Sequence, residues 1–240
     1  MAEGIQAVCG EAFGASVPDA RFCIPAAAAK LHRMAADSLG VAQAQAGRRA
    51  MKRILYVAAS TSRLYHEMLP FMEMMADKGY IVEAAACPDQ TGIFLVNQKC
   101  LHVFHAIGPV GHICSRKACR AYRTLKALLS RRRYHLIHTN DMAPSFLVRL
   151  AARSLPDTKV IYMVHGLDFY RGAPIGQWIS RYPAESLAAR YTDAVVTLNL
   201  EDFITARDAF PKPKVHYIPS AGIDLDVYQP MRYMRAGYKV

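Results

Sequence analysis

From residue 52 onward, short apolar runs alternate with stretches of helical periodicity, and this alternation is the strongest constraint on how the chain folds. The runs span residues 54–59, 81–87, 101–105, 136–139, 160–165, 194–198 and 215–219. They read as strands buried on both faces, and their alternation with helices predicts an α/β fold: a Rossmann-like parallel sheet with helices on both faces. Between the first two runs, Leu64, Met68, Phe71, Met72 and Met75 fall at helical spacing, and Gly79 stands in the position of a helix C-cap. Such a methionine stripe suits either a core or a binding face, and thioethers fill irregular gaps in cores well.

The sheet pattern does not extend to the start of the chain. Residues 1–50 are rich in alanine, lack strand or helix periodicity and precede a second methionine, Met51, so they are expected to be a poorly structured extension. Their apolar stretches are broken by Glu11, Asp19 and Arg21, unlike a secretory signal. The expected domain covers 51–230, and 231–240 reads as a truncated interdomain linker or tail.

The 240 residues are 52% hydrophobic and 20% charged, enough to bury a sizeable core. Cys9, Cys23, Cys87, Cys100, Cys114 and Cys119 form neither a CxxC pair nor a disulfide scaffold, so reduced thiols in a cytoplasmic protein are expected. No apolar run reaches the roughly 20 residues of a membrane span, which leaves only peripheral membrane contact.

A formal net charge of +11 calls for an anionic partner. The densest positive segment is 116–133, where Ala118, Ala121, Tyr122, Leu125, Leu128 and Leu129 form one stripe opposite Arg116, Arg120 and Arg123, followed by Arg131, Arg132 and Arg133. It predicts an amphipathic basic helix, either a solvated face or a contact with anionic lipid phosphates. A nucleic-acid partner is not expected, because the stretch has little aromatic interleaving and no recognition motif.

In an open parallel sheet, ligands bind beyond the carboxyl ends of the strands. The first run exits through Ser60, Thr61 and Ser62, the fourth through His138, Thr139, Asn140 and Asp141, and the fifth through His165, Gly166, Leu167 and Asp168. These polar side chains suit a hydroxyl-rich substrate, although a Ser or Asn there equally suits helix capping. No GxGxxG follows the first run, no P-loop and no GxSxG elbow occur, and His135, His138 and His165 lack metal-site spacing. No metal and no cofactor are therefore expected.

More specific is the series His165, Gly166, Leu167, Asp168, Phe169, Tyr170, Arg171, Gly172, Ala173 and Pro174, then Trp178, which resembles the HGFHFFKGAP...W segment of capsular polysaccharide transferases. Tyr182, Pro183, Glu185, Tyr191, Thr192 and Asp193, then Asn199, Glu201 and Asp202, resemble that family's YPIEKLLSRYTD and NKEDY. Pro219, Gly222, Ile223 and Asp224 resemble its P-x-x-GID, and His138 and Thr139 stand where it has VHTHTP. Over about residues 52–230 the chain thus resembles family 4 glycosyltransferases of the capsule and exopolysaccharide type.

That resemblance implies the N-terminal, acceptor-side half of a GT-B fold and retaining transfer from a nucleotide-sugar co-substrate to a lipid-linked or saccharide acceptor. His165 occupies the position of the family's donor-contacting histidine and is the catalytic candidate, while a strand-end histidine also suits a backbone hydrogen bond. Ser60, Thr61, Ser62, His138, Asn140, Asp141, Asp168 and Arg171 are acceptor-binding candidates. Asn140 and Asp168 replace residues that are often histidine in the family. Phe169, Tyr170, Trp178 and Tyr182 with Arg171 and Arg181 suit a lipid-linked acceptor at the inner face of the membrane, and helix packing explains them as well. Pro183 is expected to divide this segment into two helices. The family's donor-side GRL...KG segment and paired glutamates do not follow residue 224. This leaves three readings: a truncated transferase inactive alone, the acceptor subunit of a two-chain enzyme with a donor-binding partner, or a non-catalytic module binding lipid-linked sugar or membrane.

Overall fold

In a computed structural model, residues 52–210 and 213–219 are described. The anticipated extension 1–50, the tail 231–240 and the Gly222, Ile223 and Asp224 motif lie outside them. All seven anticipated strands are present: β1 (Arg53–Ser60), β2 (Ile81–Cys87), β3 (Leu101–Ala106), β4 (Leu136–Asn140), β5 (Lys159–Val164), β6 (Ala194–Thr197) and β7 (Lys214–Tyr217). They form one sheet in the order β3-β2-β1-β4-β5-β6-β7, with every neighbouring pair parallel. The order reverses between β1 and β4, so the crevice expected of such a sheet opens where these two strands end.

The helical segment 61–77, here α1, covers one face of the sheet. Leu64, Met68, Phe71, Met72 and Met75 are buried against Ile54, Tyr56 and Ala58, so the methionine stripe is core. Pro70 has no N–H to give to the carbonyl of His66, and just before it the helix widens into a π turn over Leu64–Met68. Gly79 ends the helix at φ 83°, with Gly79 N–H donating to Ala76 and Tyr80 N–H donating to Met75. This is a Schellman closure, which favours glycine at the left-handed position. A short helix, α2 (Gly92–Val96), follows β2.

On the opposite face lie α3 (Arg116–Arg131), α4 (Met142–Ala152), α5 (Ile175–Ala189) and α6 (Leu200–Ala209). The α3 stripe packs as its spacing requires, with Ala118, Ala121, Leu125 and Leu129 buried, and Ser115 caps its start by accepting from the Ala118 N–H. One expectation is corrected here. Pro183 does not divide two helices but lies inside the single helix α5. The break is avoided because α5 is anchored on both sides of the proline, by Trp178 and Tyr182 against Phe169 and by Glu185 in an ion pair with Arg149.

That ion pair is buried. The Arg149 guanidinium donates to both oxygens of Glu185 at 3.0 and 2.8 Å and lies over the Tyr162 ring at 4.1 Å. Several residues of the family-like series thus have structural work in this chain. Asp193 accepts from the Val160 N–H and pairs with Lys159 at the start of β5, and Asn199 caps α6 by accepting from the Asp202 N–H.

Candidate functional site

The carboxyl ends of β1, β4 and β5 bring His165, Asn140 and Asp141 together with a residue the strand pattern did not reveal, Glu67 on α1. His138, Asn140 and His165 project to the α1 face of the sheet, and the π turn of α1 carries Glu67 toward them. Asn140 Nδ2 donates to Glu67 Oε2 at 3.2 Å, so its Oδ1 faces the histidine. His165 Nε2 lies 2.7 Å from that Oδ1 and 3.2 Å from Glu67 Oε2. Both neighbours are acceptors, so Nε2 carries the hydrogen, and Nδ1 is the lone-pair nitrogen of the neutral ring.

Glu67 is held in turn by Arg63, which also reaches Asp141 Oδ1 at 3.4 Å. Asp141 Oδ2 accepts from the Ala59 N–H at 2.9 Å, and the residue adopts φ 62°, a conformation that non-glycine residues rarely take. Its carboxylate therefore clamps the ends of β1 and β4 together. The strain sits at the point where the sheet order reverses, as is common at functional sites.

His138 lies deeper, beside the rings of Tyr56 and Phe71, and its Nε2 has no hydrogen-bond partner among the described residues. Burial lowers its pKa to about 3, with a further contribution from His165, so it is a neutral imidazole. The serine and threonine cluster is organised by another residue absent from the expectations, Asp89. Thr61 donates its hydroxyl to Asp89 Oδ1 at 2.5 Å, and the Ser62 N–H donates to Oδ2 at 2.9 Å. Burial opposes the charge of Asp89, but these bonds and one from the Thr91 N–H hold its pKa down at about 2. Ser60 caps α1 by accepting from the Arg63 N–H.

Asp168 pairs with Arg181 at 3.3 Å, one step outside the histidine cluster, and Arg171 is exposed. The loop carrying them is anchored by the Leu167 N–H, which donates to Asp202 at 3.0 Å. Trp178 packs against Phe169 and Tyr182 and donates its indole N–H to the Tyr170 carbonyl. The candidate lipid-contacting residues do not form one patch. Helix α3 starts at the carboxyl edge of the sheet and ends at the amino edge, so Arg116 and Trp178 lie toward one edge while Arg131, Arg132 and Arg133 lie at the other.

Among the described residues no group of three or more His, Cys, Asp or Glu is placed to hold a metal ion. Likewise, none of their helices is long and apolar enough to cross a membrane.

Comparison with known proteins adds identity to this geometry. Residues 67–221 match the model of the glycosyl transferase 4-like domain. EpsD of Bacillus subtilis (strain 168), a protein assigned as a glycosyltransferase, is 30% identical over 183 residues, which are 75% of this chain and 46% of EpsD. The chain therefore spans about half the length of this curated relative. Among solved structures, the UDP-GlcNAc 2-epimerase of Methanocaldococcus jannaschii superposes with a TM-score of 0.52 at 12% identity, over 68% of this chain and 45% of that one. A protein of Listeria monocytogenes assigned as a UDP-N-acetylglucosamine 2-epimerase gives 0.51 at 10% identity, over 70% and 45%. At these identities the likeness is one of fold, the architecture implied for the N-terminal half of a GT-B protein. With more than half of its length matched to one family model, the chain belongs to the glycosyl transferase 4-like domain family.

Proposed function

We propose that the chain forms the acceptor side of a retaining glycosyltransferase that moves a sugar from a nucleotide-sugar co-substrate to a lipid-linked or saccharide acceptor in capsule or exopolysaccharide synthesis. The observation that carries this reading is the His165, Asn140 and Glu67 constellation at the reversal point of a sheet of this family. Asn140 and Glu67 fix the ring and its tautomer, and the Nδ1 lone pair is available to accept a hydroxyl hydrogen from a sugar. Binding so rigid a group costs little ordering when substrate arrives, which is where positioned polar groups gain their effect.

On this reading Ser60, Thr61 and Ser62 at the exit of β1 and Asp168 and Arg171 at the exit of β5 flank the acceptor. A donor-binding half, supplied in the same polypeptide or by a second subunit, closes over them. The basic outer face of α3, with Arg116, Arg120 and Arg123, rests against anionic lipid at the inner face of the membrane when the acceptor is lipid-linked.

The test is transfer from a panel of nucleotide sugars to lipid extracts and soluble saccharides, with the chain supplied together with a donor-binding half. Transfer that requires both components and is lost in His165→Ala supports the assignment. Transfer unchanged in His165→Ala removes the histidine from the mechanism, and absence of transfer with every donor and acceptor leaves the chain a binding module.

A further inference from the structure

At the opposite edge of the sheet from the His165 cluster, the amino ends of β1, β4 and β5 and the end of α3 enclose an open groove of about 1110 Å³. Its lining includes Arg53, Arg131, Arg132, Arg133, His135 and Asp157. The volume lies just above the range of about 300–1,000 Å³ that small-molecule sites occupy. Its charge is uneven, because four guanidiniums stand against Asp157 on the wall and the buried Glu83 behind it.

Glu83 is the fixed element beneath the groove. Its Oε1 accepts from Arg53 at 2.9 Å and Arg132 at 2.8 Å, and its Oε2 accepts from the Tyr134 hydroxyl at 2.7 Å and lies 2.8 Å from His105 Nε2. Each arginine spends one nitrogen on this carboxylate, and each side chain is more than a third exposed, which leaves most of its donor fork free. Glu83 therefore splays two guanidiniums at fixed positions rather than neutralising the groove. Among the described residues Arg133 pairs only with Asp157, both side chains being more than four-fifths exposed, a pair that an incoming anion exchanges at small cost. Arg131 makes no ion pair among the described residues.

The His135 ring lines the same groove. Its Nδ1 accepts from the Arg53 N–H at 3.1 Å, so Nε2 carries the proton as a further donor. Burial, followed by Lys52, Arg133 and Arg53, lowers the pKa of the ring from its ordinary value. Planar guanidinium forks bind phosphate and carboxylate oxygens bidentately, and several of them at fixed positions suit a multiply charged oxyanion with acceptors on more than one side.

We propose that this groove is a phosphate-binding site, separate from the transferase cleft, that takes a pyrophosphate or phosphate-ester group through Arg53, Arg131, Arg132 and Arg133. The proposal does not rest on the transferase reading, since neither the site nor its test involves sugar transfer. The group comes either from a soluble phosphate ester or from a lipid headgroup, and two probes separate these sources.

Inorganic pyrophosphate is titrated into the full chain by calorimetry, and vesicles of phosphatidylglycerol or of phosphatidylcholine are tested by co-sedimentation. Each probe is repeated with Arg131→Ala/Arg133→Ala and with Lys78→Ala/Lys99→Ala, which removes the same charge from exposed positions outside the groove lining and outside the basic face of α3. A soluble ligand is indicated by pyrophosphate binding that weakens at least tenfold in the first double variant and less than twofold in the second. A headgroup is indicated by the same pattern with phosphatidylglycerol vesicles and little response to pyrophosphate. Equal losses in the two double variants, or no binding of either probe, overturn the proposal. All four replaced side chains are exposed, so the core is intact in every variant.

Discussion

His165 Nε2 lies 2.7 Å from Asn140 Oδ1, and the same asparagine donates to Glu67, which itself lies 3.2 Å from the ring. The three residues come from the ends of β5 and β4 and from the π turn of α1, so three separate elements determine one imidazole. A ring so held differs from a solvent-facing histidine in having a single tautomer.

The first prediction is spectroscopic. Nitrogen-15 chemical shifts of the labelled imidazoles at a pH where His165 is neutral are expected to show the Nε2–H form at this residue. Asn140→Ala, which removes the principal acceptor, is expected to give a mixture of tautomers. In a reconstituted transfer assay, Asn140→Ala and Glu67→Gln are each expected to lower kcat/KM about ten- to a hundredfold, the scale of a misplaced catalytic group. Full activity in both variants would remove the constellation from catalysis.

How far the sequence foretells this site follows from what each residue depends on. Strand positions were legible because a parallel strand buried on both faces must be apolar throughout, and His165, Asn140 and Asp141 follow from where those strands end. Glu67 was hidden by the methionine stripe around it. Its direction depends on the π turn, and Pro70 was the available sign that the ladder changes there. Asp89 serves Thr61 from a loop after β2 that has no periodicity to read. Arg149 is the single charge within the otherwise apolar α4, a pattern that signals a buried partner, but Glu185 shares α5 with Arg181 and nothing in the sequence says which charges meet. Pro183 misled for the opposite reason, because the tertiary anchors on α5 outweigh its local preference.

The Arg149 and Glu185 pair is expected to behave as a buried charge pair in stability measurements. Glu185→Ala leaves a guanidinium buried without its counter-ion and is expected to cost about 3–5 kcal/mol in urea denaturation. The double replacement Arg149→Met with Glu185→Leu is expected to recover most of that loss, since it removes both desolvation penalties together. A double variant as unstable as the single one would show that packing around Tyr162, rather than charge, dominates at this position.

Pro183 gives a prediction of the opposite sign. In α5 it lacks the N–H that would bond the Ile179 carbonyl, and Pro183→Ala supplies that donor on an exposed part of the helix. Because the tertiary anchors already hold the helix, only part of the roughly 3 kcal/mol difference in helix propensity is recoverable. A gain of about 1 kcal/mol in unfolding free energy is expected. A loss would mean that the proline shapes the packing of Trp178 and Tyr182 on Phe169.

His138 makes the acid limb of stability specific. Its pKa in the folded protein, about 3, lies below the roughly 6.5 of an unfolded histidine. Above pH 6.5 the residue is neutral in both states and its contribution is fully present. As the pH falls from about 6.5 toward 3, the unfolded chain binds a proton that the folded chain does not, so stability is lost at up to about 1.4 kcal/mol per pH unit. His138→Phe places a third ring beside Tyr56 and Phe71, removes the unpaired Nε2 and abolishes this term. Urea denaturation at pH 7.5 and at pH 5 is expected to give a smaller difference for the variant than for the parent protein, by about 1–2 kcal/mol. An unchanged difference would mean that His138 does not carry the acid sensitivity in this range, and Asp89 and Glu83 do not account for it either, since carboxylates with lowered folded pKa values lose their contribution only as the pH falls through roughly 4.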